Sequence, residues 1–307
     1  MRIGLINDLH GRPNAPDPAP DWASVLARAR SAEDLRFDIF VFEDALLYRR
    51  EGYTDGLWEA TTFAAALAAS TSRMTISPSV INSPYRSPAL VAKIAESIDE
   101  ISGGRFVLGI GAGNTPETDY EAFGFPTDKR FSRFAEAIEI IHTLLKQGVV
   151  DFSGEFYTAK NAEMVLRGPR PQGPPINIAA GGPRMLGLAA RYGDQWNWWG
   201  WGETLGELEA RLTPIIARLD QECRELGRDP GSLARTFDLY TVVPPPYSDR
   251  AEGAEVPQPV TGSAEQIAEF LFGLRALGFE EVRCDIWPKT LEAVESMSEV
   301  VGLVHEG

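Results

Sequence analysis

The chain has 307 residues and sets 44 Asp and Glu against 29 Lys and Arg, a formal net charge of −15. So acidic a protein repels phosphate backbones and anionic headgroups, which argues against sequence-independent nucleic-acid binding and against an anionic membrane as partner. Apolar residues at 44% and charged ones at 24% exclude wholesale disorder.

The opening MRIGLIND enters a strand pattern at once, without a charged-then-apolar leader. Short β-type runs then alternate with helical patterns, as in a parallel sheet with crossover helices. The expected order is strand Ile3–Asn7, helix Trp22–Leu35, strand Ile39–Phe42, helix Leu57–Ala69, strand Met74–Ile81 and a helix from Ser87. That helix is well punctuated: Ser87 suits the N-cap, Pro88 the first turn and Gly103 the stop, with Leu90, Val91, Ile94, Ile98 and Ile101 at helical spacing. Strand Arg105–Ile110 follows, then a helix with Phe131, Phe134, Ile138, Ile141 and Leu145 on one stripe. Val150–Tyr157, centred on Ser153-Gly154, reads as an inserted hairpin. After it come strand Ile176–Ala180, helix Pro183–Tyr192, strand Gln195–Trp199, helix Leu205–Leu226 and strand Thr236–Val243. A helix capped by Ser263 and Gln266, strand Val282–Ile286 and helix Leu291–Val304 complete the series.

Eight strand–helix units predict an α/β fold, a single (β/α)8 TIM barrel over residues 1–307 with an inserted hairpin after the fourth helix. A doubly wound open sheet is the rival. The longest apolar run, Phe63–Ala69, is too short to cross a bilayer. Cys223 and Cys284 form no paired motif, so no disulfide framework is expected, and a soluble cytoplasmic protein is.

In such a barrel the chemistry gathers where strands give way to the loops before their helices. Those positions offer Asn7, Asp8 and His10, then Glu43 and Asp44, Val80 and Asn82, and further on Asn197, Trp198 and Tyr240. Of three histidines only His10 stands at a strand end, so no transition-metal cluster is expected. Glycine, amide and aromatic groups dominate, which suits a flat conjugated ligand that brings its own reactivity.

Two segments stand out. Gly109-Ile-Gly-Ala-Gly113 runs straight out of a strand, but Asn114 occupies the third glycine position of a dinucleotide fingerprint. Its glycines, with Ala112 between them, instead let backbone approach a ring system. Ala180-Gly181-Gly182-Pro183-Arg184 ends a strand and opens a helix, so unpaired first-turn N–H groups and the nearby Arg184 make a phosphate cradle. Trp196, Trp198, Trp199 and Trp201 crowd one strand; most of them fill the barrel–helix layer, while Trp198 or Trp201 is placed to wall a ligand.

Three segments resemble one family. They are LAASTSRMTISPSVINSPYRSPALVAKIAESIDEISGGRFVLGIGAG (Leu67–Gly113), DYEAFG (Asp119–Gly124) with Arg130, and PINIAAGGPRMLGLAARYGDQWN (Pro175–Asn197). Together they are similar to the bacterial luciferase-like flavin-dependent oxidoreductases. The resemblance implies a flavin at the C-terminal mouth of the barrel, its phosphate at Gly181-Gly182 and its ring near Val80, Asn82 and Gly111–Asn114. It also implies a non-prolyl cis peptide after the third strand, at Ser79–Val80, and a homodimer, for which the Ala-rich face Ala64–Ala69 is the candidate helix surface. Many members, notably those using a deazaflavin, carry Asp-His at the end of the second strand where this sequence has Asp44-Ala45, and some deazaflavin dehydrogenases carry Glu where it has Asn114; both departures argue against a sugar-phosphate dehydrogenase of that type and leave FMN and deazaflavin both open.

His10 and Asp44 are therefore the candidate catalytic residues, and Asn7 and Trp198 the candidate substrate-pocket residues. The leading expectation is a monooxygenase using reduced FMN and O2 on a small-molecule substrate, with a separate flavin reductase supplying electrons. Deazaflavin (coenzyme F420) hydride transfer is the alternative, and a non-catalytic flavin-binding barrel the third. An aldolase-type barrel would have only Lys289 for a Schiff base. Substrate choice would fall to the loops Pro13–Pro20 and Pro244–Pro259.

Overall fold

The computed structural model describes residues 1–9, 20–50, 53–113, 118–201, 203–248 and 258–307. Eight parallel strands form the central sheet: β1 (Arg2–Ile6), β2 (Ile39–Phe42), β3 (Thr75–Pro78), β4 (Leu108–Gly111), β5 (Ile176–Ala179), β6 (Gln195–Trp201), β7 (Ala234–Val243) and β8 (Glu281–Ile286). Neighbours in sequence are neighbours in the sheet, and β8 returns to β1 with Glu281 opposite Arg2. Between β3 and β4 the ring is completed by a bridge from Ile76 to Phe106 and by Ile81–Asn82 pairing with Ile110 and Gly111. The expected barrel is thus the fold, and the open doubly wound sheet is excluded.

Helices α1 (Trp22–Asp34), α2 (Ala60–Ser70), α3 (Pro88–Ser102), α4 (Arg130–Gln147), α5 (Pro183–Tyr192), α6 (Leu205–Glu225), α7 (Ala264–Ala276) and α8 (Ser298–Glu306) clothe the sheet. Their ends follow local chemistry. Gly103 stops α3 in the left-handed region at φ 67°, and Ser263 with Gln266 forms the reciprocal capping box of α7. Ser87 sits at the N-cap of α3, but its side chain makes no capping bond. A second capping box, Thr204 with Glu207, opens α6.

Packing corrects two of the expected stripes. On α3, Val91 and Ile98 are buried but Leu90 and Ile101 are half exposed. On α4, Phe134, Ile138, Ile141 and Leu145 are fully buried, whereas Phe131 stands out at the barrel mouth. Ala64 and Ala68 of α2 face the chain's own core.

After α4 an antiparallel pair joins Val149–Ser153 to Thr158–Glu163, so the turn lies later and the second arm longer than Ser153-Gly154 implied. An unforeseen hairpin, Leu47–Arg50 with Tyr53–Gly56, follows β2. No helix among the described residues is long and apolar enough to cross a membrane.

The barrel interior is polar as well as apolar. Arg283 of β8 is fully buried and binds Glu281 at 2.6 Å and Asp238 of β7 at 3.3 Å. Gly4 makes room for it, since a β-carbon there would come within 2.9 Å of the Arg283 side chain. Next to this cluster, toward the N-terminal end of β7, a chain of hydrogen bonds runs from Asn177 to Thr236 and on to Asn197, at 3.1 and 2.7 Å.

Candidate active site

A cleft of about 770 Å³ opens at the C-terminal mouth of the barrel, within the usual size range of small-molecule sites. Its floor is made of small residues, Gly111, Ala112 and Gly113 after β4 and Ala179 and Gly181 after β5. The backbone there leaves no space for side chains. A β-carbon at Gly109 would lie 1.9 Å from the Pro78 carbonyl oxygen, one at Gly111 2.8 Å from Val80 Cγ2, and one at Gly113 2.5 Å from the Tyr120 hydroxyl. The Ser79–Val80 peptide is cis, at the bond expected from the sequence, and both residues line the cleft.

At one end of the floor α5 begins. Gly182 is its N-cap, extended at φ −91° and ψ 161°, with Pro183 in the first turn and no side chain capping the N–H groups. A β-carbon at Gly182 would meet nothing within 4 Å. Open space beside uncapped helix donors fits a phosphate. Arg130, first residue of α4, lines the cleft and supplies a cation, its guanidinium carbon 4.9 Å from the Phe131 ring centroid. Arg184 does not line the cleft: it is exposed and reaches Ser132 Oγ at 3.3 Å. Arg130 was visible in the sequence only as part of the family motif.

The opposite wall carries acids, tyrosines and indoles. Glu43 and Tyr48 line it, with Tyr48 donating to Glu43 Oε2 at 2.8 Å and the Leu9 amide donating to Oε1 at 3.1 Å. The unforeseen hairpin brings Tyr48 there. Asp238 Oδ2 accepts from Ser79 Oγ at 2.6 Å and from Asn197 Nδ2 at 2.9 Å. Burial pushes the Asp238 carboxyl up, opposed by Arg283, Ser79 and Asn197. The Tyr48 phenol is raised by burial and the Glu43 charge, and that of Tyr240 by burial and the Asp238 charge, so both stay protonated at neutral pH.

Several residues picked from the sequence lie just outside the cleft. Asp44 forms a bidentate pair with Arg86 at 2.7 and 3.0 Å and accepts from the Asn82 amide at 2.9 Å. Burial raises its pKa against the pull of Arg86. Arg86 also binds Glu59, so the Asp44 carboxylate ties β2 to the start of α3 rather than facing ligand. Asn82 is buried, its Oδ1 accepting from Tyr120 at 3.2 Å. The carbonyl of Ala180 accepts from the Trp196 indole at 2.9 Å. Asn7 is fully buried and donates to the Asp8 carbonyl at 2.9 Å. Trp198 packs behind the floor, where a β-carbon on Gly181 would come within 3.2 Å of its ring. The indoles that line the cleft are Trp199 and Trp201. On a strand Trp199 and Trp201 share a face that Trp198 does not, and β6 runs to Trp201 rather than stopping at Trp199. Lys289 is held between Asp8, at 3.0 Å, and Asp285. His10, Asn114, loop residues 13–19 and 249–257 lie outside the described residues.

Comparison with known proteins adds relatives to this geometry. The family model described as luciferase-like monooxygenase matches residues 1–280. The chain is 42% identical over 128 residues to a 5,10-methylenetetrahydromethanopterin reductase of Archaeoglobus fulgidus, across 42% of this chain and 37% of that protein. It thus spans little more than a third of that relative. It is 31% identical over 269 residues to the pyrimidine monooxygenase RutA of Escherichia coli, across 82% of this chain and 69% of that one. An F420-dependent secondary alcohol dehydrogenase shares its fold at a TM-score of 0.80 and 18% identity, covering 99% of this chain and 98% of the other. So does a riboflavin lyase, RcaE, solved with modified FMN, at 0.81 and 17%, covering 100% and 91%.

Proposed function

The chain belongs to the luciferase-like monooxygenase family, and on that premise we propose that it binds FMN in the barrel-mouth cleft and oxygenates a small organic substrate with O2. The observation that carries this reading is the floor of small residues, Gly111 to Gly113 with Ala179 and Gly181, leading to the uncapped helix start at Gly182. A flat ring needs a floor without side chains, and a phosphate needs convergent N–H donors; this chain offers the two side by side. Bound reduced flavin would supply the electrons and the reactivity toward O2.

The protein's own residues would do the rest. The N–H groups at the start of α5 and the Arg130 guanidinium hold the phosphate. Val80 and Ser79, which line the cleft from the β3 side, would hold the ring. Phe131, Trp199 and Trp201 screen the cleft from water, which protects a reactive intermediate and strengthens every polar contact inside. Tyr48 and Tyr240 hold a proton at their phenolic oxygens. A separate reductase delivers the electrons.

A second reading, deazaflavin-dependent hydride transfer, draws support from the fold shared with an F420-dependent alcohol dehydrogenase. Ala45 is buried where many deazaflavin-using members carry histidine, which argues against a sugar-phosphate dehydrogenase of that type and does not decide between the two cofactors. Titration of the protein with FMN and with coenzyme F420, followed by oxygen-electrode traces with the reduced cofactor, tests both. The proposal predicts FMN binding and O2 uptake that depends on added substrate. Binding of F420 alone, or turnover without O2 uptake, would transfer the case to the second reading, and binding of neither would overturn both.

A further inference from the structure

We infer that the β6–β7 side of this cleft selects an uncharged, planar aromatic substrate whose ring stacks on Trp199 and Trp201; this deepens the flavin-oxygenase reading and rests on it. β6 turns its side chains alternately to opposite faces. Trp196 and Trp198 are 0% and 8% exposed, whereas Trp199 and Trp201 line the cleft and are 39% and 56% exposed. Two indoles held open to water at the mouth of a ligand-sized cleft mark apolar surface that a bound molecule covers.

Both rings are braced by other rings of the chain. Trp199 stacks on Trp198 with centroids 5.2 Å apart and planes 16° apart. Trp198 is held in turn by Trp196 at 5.9 Å and by the Arg211 guanidinium, 5.6 Å from its centroid. Trp201 leans on Tyr240 at 5.6 Å, with planes at 55°. Rings already seated against their neighbours lose little freedom when a ligand arrives, so the ligand gains contact without having to order them. A flat ring laid on Trp199 extends the Trp198–Trp199 stack by one member.

Shape and charge are both selected. An aliphatic chain gains from any apolar wall, but an aromatic ring gains a further factor of about two to ten for each well-placed ring partner, through offset-stacked or edge-to-face contact. The polar groups beside the rings call for no ionic substrate. Glu43 accepts from the Tyr48 hydroxyl and the Leu9 amide. Asp238 is bonded by Ser79 and Asn197 on one oxygen and by Arg283 on the other. Tyr240 keeps its proton, so its phenol can give a hydrogen bond or take one. A neutral ring bearing a hydroxyl or carbonyl meets these groups without leaving a charge unpaired.

The test titrates the full chain, in the presence of FMN, with 2-naphthol, trans-decahydro-2-naphthol and 2-naphthoate by calorimetry at pH 7. The first two share a two-ring skeleton and a hydroxyl, but only the first is aromatic; the third is aromatic and charged. 2-Naphthol should bind at least about fivefold more tightly than either of the others. Burial of apolar area alone predicts that the saturated alcohol binds at least as well. Trp201 is more than half exposed, so Trp201→Leu removes the ring without disturbing the core. That variant and Trp199→Leu should each weaken 2-naphthol about twofold to tenfold and leave the saturated alcohol within about twofold. The saturated alcohol or 2-naphthoate binding as tightly as 2-naphthol, no saturable 2-naphthol binding, or an aromatic preference that survives both substitutions would each overturn the inference. Repeating the series without FMN, and titrating FMN itself, separates the two ideas. A tryptophan-dependent ring preference without FMN binding keeps the inference and sinks the flavin reading, and FMN binding without such a preference does the reverse.

Discussion

Gly182 and Gly109 sit near the same cleft and answer differently to one added methyl group. At Gly182 the backbone is in an ordinary extended conformation and a β-carbon meets no protein atom within 4 Å. An aspartate there is accommodated by the fold but sets its charge where a phosphate would lie. Gly182→Asp is expected to leave the unfolding midpoint within a few degrees of wild type and to weaken FMN binding about a hundredfold or more, read by flavin fluorescence. At Gly109 the added carbon would lie 1.9 Å from the Pro78 carbonyl oxygen. Gly109→Ala should cost about 3 kcal/mol or more in urea unfolding, since backbone cannot yield as a side chain does. Glu59 gives a residue-scale dependence on pH. Burial raises its carboxyl, but bonds from Thr62 and Arg86 outweigh that and hold it at about 2, below its ordinary 4.5. A depressed carboxylate stabilises the fold above pH 4.5, and the stabilisation fades as pH falls toward 2. Acid unfolding followed by circular dichroism should show this slope in wild type and a shallower one in Glu59→Gln; superimposable curves would remove Glu59 from the account.

Among the elements, those with strong punctuation are legible in the sequence alone. Pro88 and Gly103 bracket α3, Ser263 and Gln266 open α7, and Pro183 opens α5. The hairpin carrying Tyr48 was not legible, because Leu47–Arg50 and Tyr53–Gly56 mix charged and turn-forming residues and read as loop. The role of Asp44 is hidden in the sequence for a related reason. A carboxylate at a strand end looks available for chemistry until its partner is known, and Arg86 lies 42 residues further along the chain. That pair now carries a prediction. Arg86→Met leaves the buried Asp44 carboxylate uncompensated and should cost about 3–5 kcal/mol of stability. Arg86→Lys, which keeps charge but not the two-pronged geometry, should lose less.

For the molecule as a whole, alternation of strands and helices was enough to foresee eight units, because each βα unit leaves its own periodic trace. What fills the barrel could not be foreseen. Arg283, Asp238, Asn197 and Thr236 face one another across strands far apart in sequence, and nothing local marks them as inward-pointing. The candidate site was legible where glycine and proline made it, at Gly111–Gly113 and Gly181-Gly182, and illegible where side-chain direction decided, as with Trp198 against Trp199. The acidic charge of −15 takes on local meaning, since the cleft sets the uncapped start of α5 and Arg130 in contrast to Glu43 after β2 and Asp238 of β7.

The central claim, that the start of α5 receives the phosphate of a flavin, is tested most directly by titrating the protein with FMN and with riboflavin, which differ only in that phosphate. Charge-assisted bonds to the helix donors and Arg130 should make FMN bind at least about tenfold more tightly. Equal affinity for the two, or tighter binding of riboflavin, would contradict the account.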